Sequence, residues 1–149
     1  MEFVGNKDEV YGAVLEATAL YPELTIAEFQ ELFHFLSNES EASLLHQTTI
    51  ARITVNQELF SIVTSFGSLA ALSQARYGDE ISGDTLYKQA VFSQAAHLVI
   101  GNQISSDTTK EAAERQEAMS QKANHCLVSY RRAIDTLINN AETYTIEVI

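Results

Sequence analysis

Glu31 and His34 stand three residues apart, the Glu-x-x-His spacing with which helical bundles hold a pair of iron ions. That chemistry needs a second such pair and two further glutamates. Neither His97 nor His125 has a glutamate three residues earlier, so the pair reads as a chance occurrence. His46 and His125 read as surface or core-edge histidines. Cys126 is the sole cysteine; it excludes an intrachain disulfide, fits a reducing compartment, and reads as a small core residue. The chain contains no nucleophile elbow, no Gly-rich phosphate loop and no metal-spaced Cys/His cluster. Tyr77, Tyr87 and Tyr130 read as core-edge residues rather than stacking platforms. The expectation is a protein without catalytic, cofactor or metal residues, and not an enzyme.

Charge says more than chemistry. The 149 residues carry a formal net charge of −11, which disfavours nucleic-acid binding through a basic patch. The sign is uneven. Glu2, Asp8, Glu9, Glu16, Glu23, Glu28, Glu31, Glu39 and Glu41 face a single base, Lys7, in the first 41 residues, whereas Lys110, Arg115, Lys122, Arg131 and Arg132 cluster near the end. Two accounts stand open: a solvated acidic surface, or head-to-tail electrostatic contact between protomers. The opening MEFVGNKDEV lacks the basic segment and apolar run of a signal peptide. No run approaches the ~20 apolar residues of a membrane span.

The element that organises the chain is Thr108 to Asn139, free of Pro and Gly. Asp107 is a candidate N-cap, and Ala112, Ala113, Met119, Ala123, Cys126, Leu127, Tyr130, Ala133, Ile134, Leu137 and Ile138 recur at helical spacing. Such a helix is roughly 45 Å long. Arg131 and Arg132 lie beside the stripe, where cations suit the helix C-terminus. Ahead of it, Thr25 with Glu28 forms a capping box for a helix to about Leu36, whose buried face carries Ile26, Phe29, Phe33 and Leu36 with Leu32 alongside. Ser40 caps a helix to Phe66 with a stripe of Leu44, Thr48, Ala51, Val55, Leu59, Ile62 and Phe66. Gly67 to Gly83 reads as a loop of roughly seventeen residues, with a short helical turn at Ala70 to Gln74. Asp84 caps a third helix, ended by Gly101 and Asn102 near Gln103. Met1 to Tyr21 reads as an extended arm with a helical turn or two, ended by Pro22. The predicted fold is all-α: about four helices, one of them long and C-terminal, in a bundle over 25–139, with an N-terminal arm at 1–24 and a strand-like tail at 140–149.

That tail changes period. Tyr144, Ile146 and Val148 alternate with Thr145, Glu147 and Ile149, a strand pattern without a partner strand. Fraying, packing on its own domain, and addition to another protein's sheet edge are the three accounts open to it.

Four stretches resemble the head-completion, or head-to-tail adaptor, proteins of contractile-tailed bacteriophages. Tyr21-Pro22-Glu23-Leu24 matches that family's aromatic-Pro-acid-aliphatic entry to a helix. Val55-Asn56-Gln57-Glu58-Leu59 is similar to its Val-Asn-x-Glu-Leu segment. Leu86-Tyr87-Lys88-Gln89-Ala90-Val91-Phe92 is similar to its Tyr-basic-x-Ala-Val-aromatic helix. Arg131-Arg132-Ala133-Ile134-Asp135 stands where the family has a basic and then aliphatic run. The resemblance covers about Tyr21 to Ile138. Met1 to Leu20 lacks the Pro of the family's arm, and the tail has no obvious counterpart. The resemblance implies a structural protein of the virion neck, assembled in the host cytoplasm as a homo-oligomeric ring beneath the portal protein. Such a ring extends the channel through which genomic DNA passes without specific binding, and docks the next neck or tail-terminator protein. On that reading Tyr144, Ile146, Val148 and Ile149 are the portal-binding residues, Arg131 and Arg132 the inter-protomer residues, and Glu28, Glu31, Glu39 and Glu41 the acids facing the channel, with no cofactor and no membrane. The competing classes are a helical-bundle metal- or ligand-binding protein, resting on Glu31 and His34, and an acidic regulator of a basic partner, resting on the charge.

Overall fold

The computed structural model describes residues 9–34, 38–106 and 110–140, with backbone alone at 105–106 and 110–114. The first described elements are two short strands, β1 (Val14–Leu15) and β2 (Leu24–Thr25), paired antiparallel with Val14 opposite Thr25 and Leu15 opposite Leu24. Among the described residues five helices follow: α1 (Ile26–Leu32), α2 (Glu41–Phe66), α3 (Leu69–Tyr77), α4 (Ile81–Ser106) and α5 (Lys110–Asn139). The all-α expectation holds, with the hairpin a small addition. At ~1.5 Å per residue α5 is about 45 Å long.

The capping box is formed as the sequence implies. Thr25 Oγ1 accepts from Glu28 N at 3.2 Å, and Glu28 Oε1 accepts from Thr25 N at 3.1 Å. Ser40 caps α2 by accepting from Ser43 N, and α2 ends at Gly67. The segment expected as one long loop holds α3, capped by Ser68 and closed by Gly78 in the left-handed conformation (φ 77°). α4 starts three residues before Asp84. Asp79, not Asp84, receives the Ser82 N–H at its entry, at 2.6 Å. Gly83 lies inside α4 because α3 passes so close: a Cβ there would sit 2.6 Å from Ser73 Cβ. Gly101 and Asn102 lie within α4 and do not end it.

α4 is the central helix. Tyr87, Ala90, Val91, Phe92, Ala95, Ala96, Val99 and Ile100 are all buried. Tyr87 stacks on Tyr21 with ring centres 5.0 Å apart, and Phe92 on Phe29 at 5.3 Å, so α4 is gripped by the hairpin turn and by α1. The Tyr87 hydroxyl donates to Asn56 Oδ1 of α2 at 2.6 Å, the partner that a buried phenol needs. α5 packs antiparallel on α4 through Ala123, Cys126, Tyr130, Ala133, Ile134 and Leu137, with His97 Nδ1–H donating to the Ala123 carbonyl at 3.0 Å. The predicted stripes were wider than the buried faces: Leu32, Phe66 and Leu127 are exposed. Leu36 and Asp107 lie outside the described residues.

Residues 9–25 contain no helical turn. They lie extended along the bundle, held by side chains that reach their backbone. Gln30 Oε1 accepts from Tyr11 N while Gln30 Nε2 donates to the Glu9 carbonyl, each at 2.9 Å. Glu41 accepts from Ala13 N at 2.9 Å, and Arg52 donates to the Glu16 carbonyl at 3.0 Å. Leu20 O closes the turn by accepting from Leu69 N of α3 at 2.9 Å.

Candidate functional site

Four of the residues nominated by sequence, Glu28, Glu39, Glu41 and Arg131, take structural contacts. Glu28 completes the α1 cap and also accepts from Lys88 Nζ of α4 at 2.6 Å. Burial alone would push its carboxyl up, but the hydrogen bonds from Lys88 and Thr25 and the Lys88 charge outweigh it, and Glu28 sits below the usual carboxylate range. Glu39 receives Gln103 Nε2 at 2.6 Å and the Ser43 hydroxyl at 3.3 Å. Glu41 holds the Ala13 amide. Glu31 is exposed on α1. Arg131 forks both terminal nitrogens onto Glu58 Oε1 at 2.8 and 2.9 Å, which pins α5 beside α2, and it stacks over Tyr130 with 5.1 Å to the ring centre. Arg132 is exposed. Tyr144, Ile146, Val148 and Ile149 lie outside the described residues.

The C-terminal end of α5 is held from an unexpected side. Its last turn has no basic residue. Arg76 of α3 supplies one, donating to the Leu137 carbonyl and, at 3.2 Å, to the Ile138 carbonyl, while Tyr77 OH donates to Thr136 O at 3.5 Å. The cation thus meets the helix C-terminus, as its dipole favours, but from a neighbouring helix rather than from Arg131 and Arg132.

Two surfaces that the sequence did not single out carry apolar area. On α2 the outward face presents Ile50, Ile53 and Phe60, 40%, 52% and 58% exposed. Ile53, Asn56, Gln57 and Phe60 line a shallow groove of about 520 Å³ there. Between α1 and α4 a second groove of about 530 Å³ is lined by Ala27, Leu32 and Phe92, with Glu28, Glu31 and Lys88 at its polar edge. The signal for the first was an i, i+3, i+10 spacing of large apolar residues outside the buried stripe. Leu32 beside the α1 stripe was the signal for the second. Among the described residues no group of three His, Cys, Asp or Glu could hold a metal, and no helix is long and apolar enough to cross a membrane.

A family model for phage head completion proteins (GPL) matches residues 15–149. The chain belongs to that family. The match begins at Leu15, the second residue of β1, and runs through the C-terminal segment, for which no family counterpart was obvious from the motifs alone. No curated protein and no solved structure matches the chain. Membership gives this head completion family member a role in phage head assembly, among other head and tail proteins.

Proposed function

We propose that the chain is a non-enzymatic adaptor of the virion neck, forming a ring under the portal protein, extending the DNA channel and docking the next neck or tail-terminator protein. The observation that carries this reading is the family match over 15–149. The C-terminal segment supplies the portal contact: Tyr144, Ile146, Val148 and Ile149 add as a strand to a portal sheet edge, the alternation matching side-chain recognition on one face and ladder hydrogen bonds in the strand plane. The Arg76 clamp supports this role, because it fixes where that segment leaves the bundle.

The acids Glu28, Glu31, Glu39 and Glu41 face the channel, where negative charge repels phosphate and lets the genome slide past. Three of the four also hold the fold together: Glu28 joins α1 to Lys88 of α4, Glu39 joins the entry of α2 to Gln103 of α4, and Glu41 holds the Ala13 amide. Arg132, with Arg131 behind it on Glu58, faces the neighbouring protomer. The test is electron microscopy of the purified protein mixed with its portal. Rings on the portal are expected; a protein that stays monomeric and off the portal at high concentration refutes the adaptor reading. Deleting 141–149 is expected to weaken portal binding with helix content unchanged by circular dichroism, and full affinity in that truncation would remove the strand-addition contact.

A further inference from the structure

We infer that Arg76 and Asn140 are positioning residues of the portal contact: they act through the C-terminal segment, by fixing the point and the direction in which residues 141–149 leave the bundle. The inference rests on the strand-addition contact proposed above.

A helix leaves the carbonyls of its last turn without intrahelical partners. At the end of α5 three of them in succession, Thr136, Leu137 and Ile138, accept from α3. Arg76 fills two and the Tyr77 hydroxyl the third. Both donors stand in the last turn of α3, just before Gly78 closes that helix. α3 is itself held along its length. Leu69 N–H at its start donates to the Leu20 carbonyl, and Ser73 in its middle accepts from Gly83 N–H of α4. Arg76 therefore reaches α5 from a fixed support, and it brings the only cation there, since the last turn of α5 has none of its own.

The backbone then changes direction. Asn140 has φ 55°, and among the described residues it is the one non-glycine position with a positive φ. Asparagine tolerates this conformation better than most side chains, but glycine is the commoner residue at such a helix end. Glycine takes either sign of φ with equal ease, so asparagine leaves fewer directions open to the residues that follow. A segment that pairs as a strand with a partner loses conformational freedom on binding. Setting its root in advance removes part of that cost. An exit that is correct only part of the time weakens the apparent affinity by the same fraction.

The test is the portal affinity of the full-length protein. Arg76→Met keeps the reach of the side chain and loses its donors and charge. It is expected to weaken binding about tenfold, the order that one hydrogen bond from a charged donor contributes, with helix content unchanged by circular dichroism. Arg76→Lys keeps a cation and a donor, and is expected to recover part of the loss. Asn140→Gly is expected to weaken binding without lowering the urea midpoint, which separates aim from stability. Arg76→Met is also made together with Ile146→Asp, which puts a charge into the strand pattern. There it is expected to have no further effect, because the contact it positions is already lost. Wild-type affinity in Arg76→Met or in Asn140→Gly, or an equal loss from Arg76→Met with and without Ile146→Asp, overturns the inference and leaves the strand-addition contact standing. Wild-type affinity in Ile146→Asp alone removes that contact, and the inference with it.

Discussion

Gly83 is fixed by a single neighbour. Its amide donates to Ser73 Oγ at 2.8 Å, and the same serine donates to the Asp79 carbonyl, so α3 and the entry of α4 are joined at one atom. Gly83→Ala drives a methyl into Ser73 Cβ, and overpacking of this kind costs about 1–3 kcal/mol; urea denaturation is expected to show a loss in that range. Glu28 gives a pH-dependent counterpart. Its carboxyl is lowered on folding from 4.5, so the stability it contributes is present above about pH 4.5 and is lost as pH falls through the folded value. The Lys88 pair is partly exposed, with side chains 29% and 38% accessible. Lys88→Met should therefore cost less than about 1 kcal/mol at pH 6, and the gap to wild type should narrow as pH falls below 4.5, measured by denaturation along a pH series. The capping role of Glu28 was legible in the sequence because Thr25 stands three residues before it. Its partner Lys88, sixty residues on, was not, because nothing local encodes which helices meet.

The elements show the same division between local and distant causes. α2 was readable to the residue at its start and end, since Ser40 and Phe66–Gly67 act within one turn. The entry to α4 was misplaced because Gly83 looks like a breaker until Ser73 is seen against it, and Gly101 looks like a stop although it sits exposed in a helix that continues. The hairpin was invisible for a different reason: strands of two residues have no period to detect, and residues 9–16 are held by Gln30, Glu41 and Arg52. That attachment is testable. Removing one such hydrogen bond by Gln30→Ala or Glu41→Ala costs about 1 kcal/mol locally. Amide exchange over 11–15 is expected to quicken about fivefold, with exchange in α4 unchanged. Uniform acceleration across the molecule would mean that the segment is part of the global fold rather than a separately opening layer.

At the scale of the whole molecule charge works against assembly. Copies that each carry −11 repel when they gather, and salt screens that repulsion. Ring formation is therefore expected to strengthen between about 20 and 300 mM NaCl, measured as portal occupancy by microscopy or mass photometry. An acidic regulator that grips a basic partner gives the opposite slope. The family was legible from short motifs whose order, rather than any one of them, carried the resemblance. The two apolar surfaces were not singled out: the spacing of Ile50, Ile53 and Phe60 is visible in the sequence, but their exposure is set by packing.

Arg76 has a mechanical consequence. A load applied through residues 141–149 enters the bundle at the last carbonyls of α5, where an isolated helix would unwind turn by turn from its frayed end. Here the guanidinium grips those carbonyls and lies 5.6 Å from the ring centre of Phe66, at the end of α2. The tug is shared among three helices at once. An anchor rope tied to a cleat transmits its strain to the hull, and this chain's final segment is cleated in the same sense: whatever it holds pulls on α2 and α3 before it can peel α5 away.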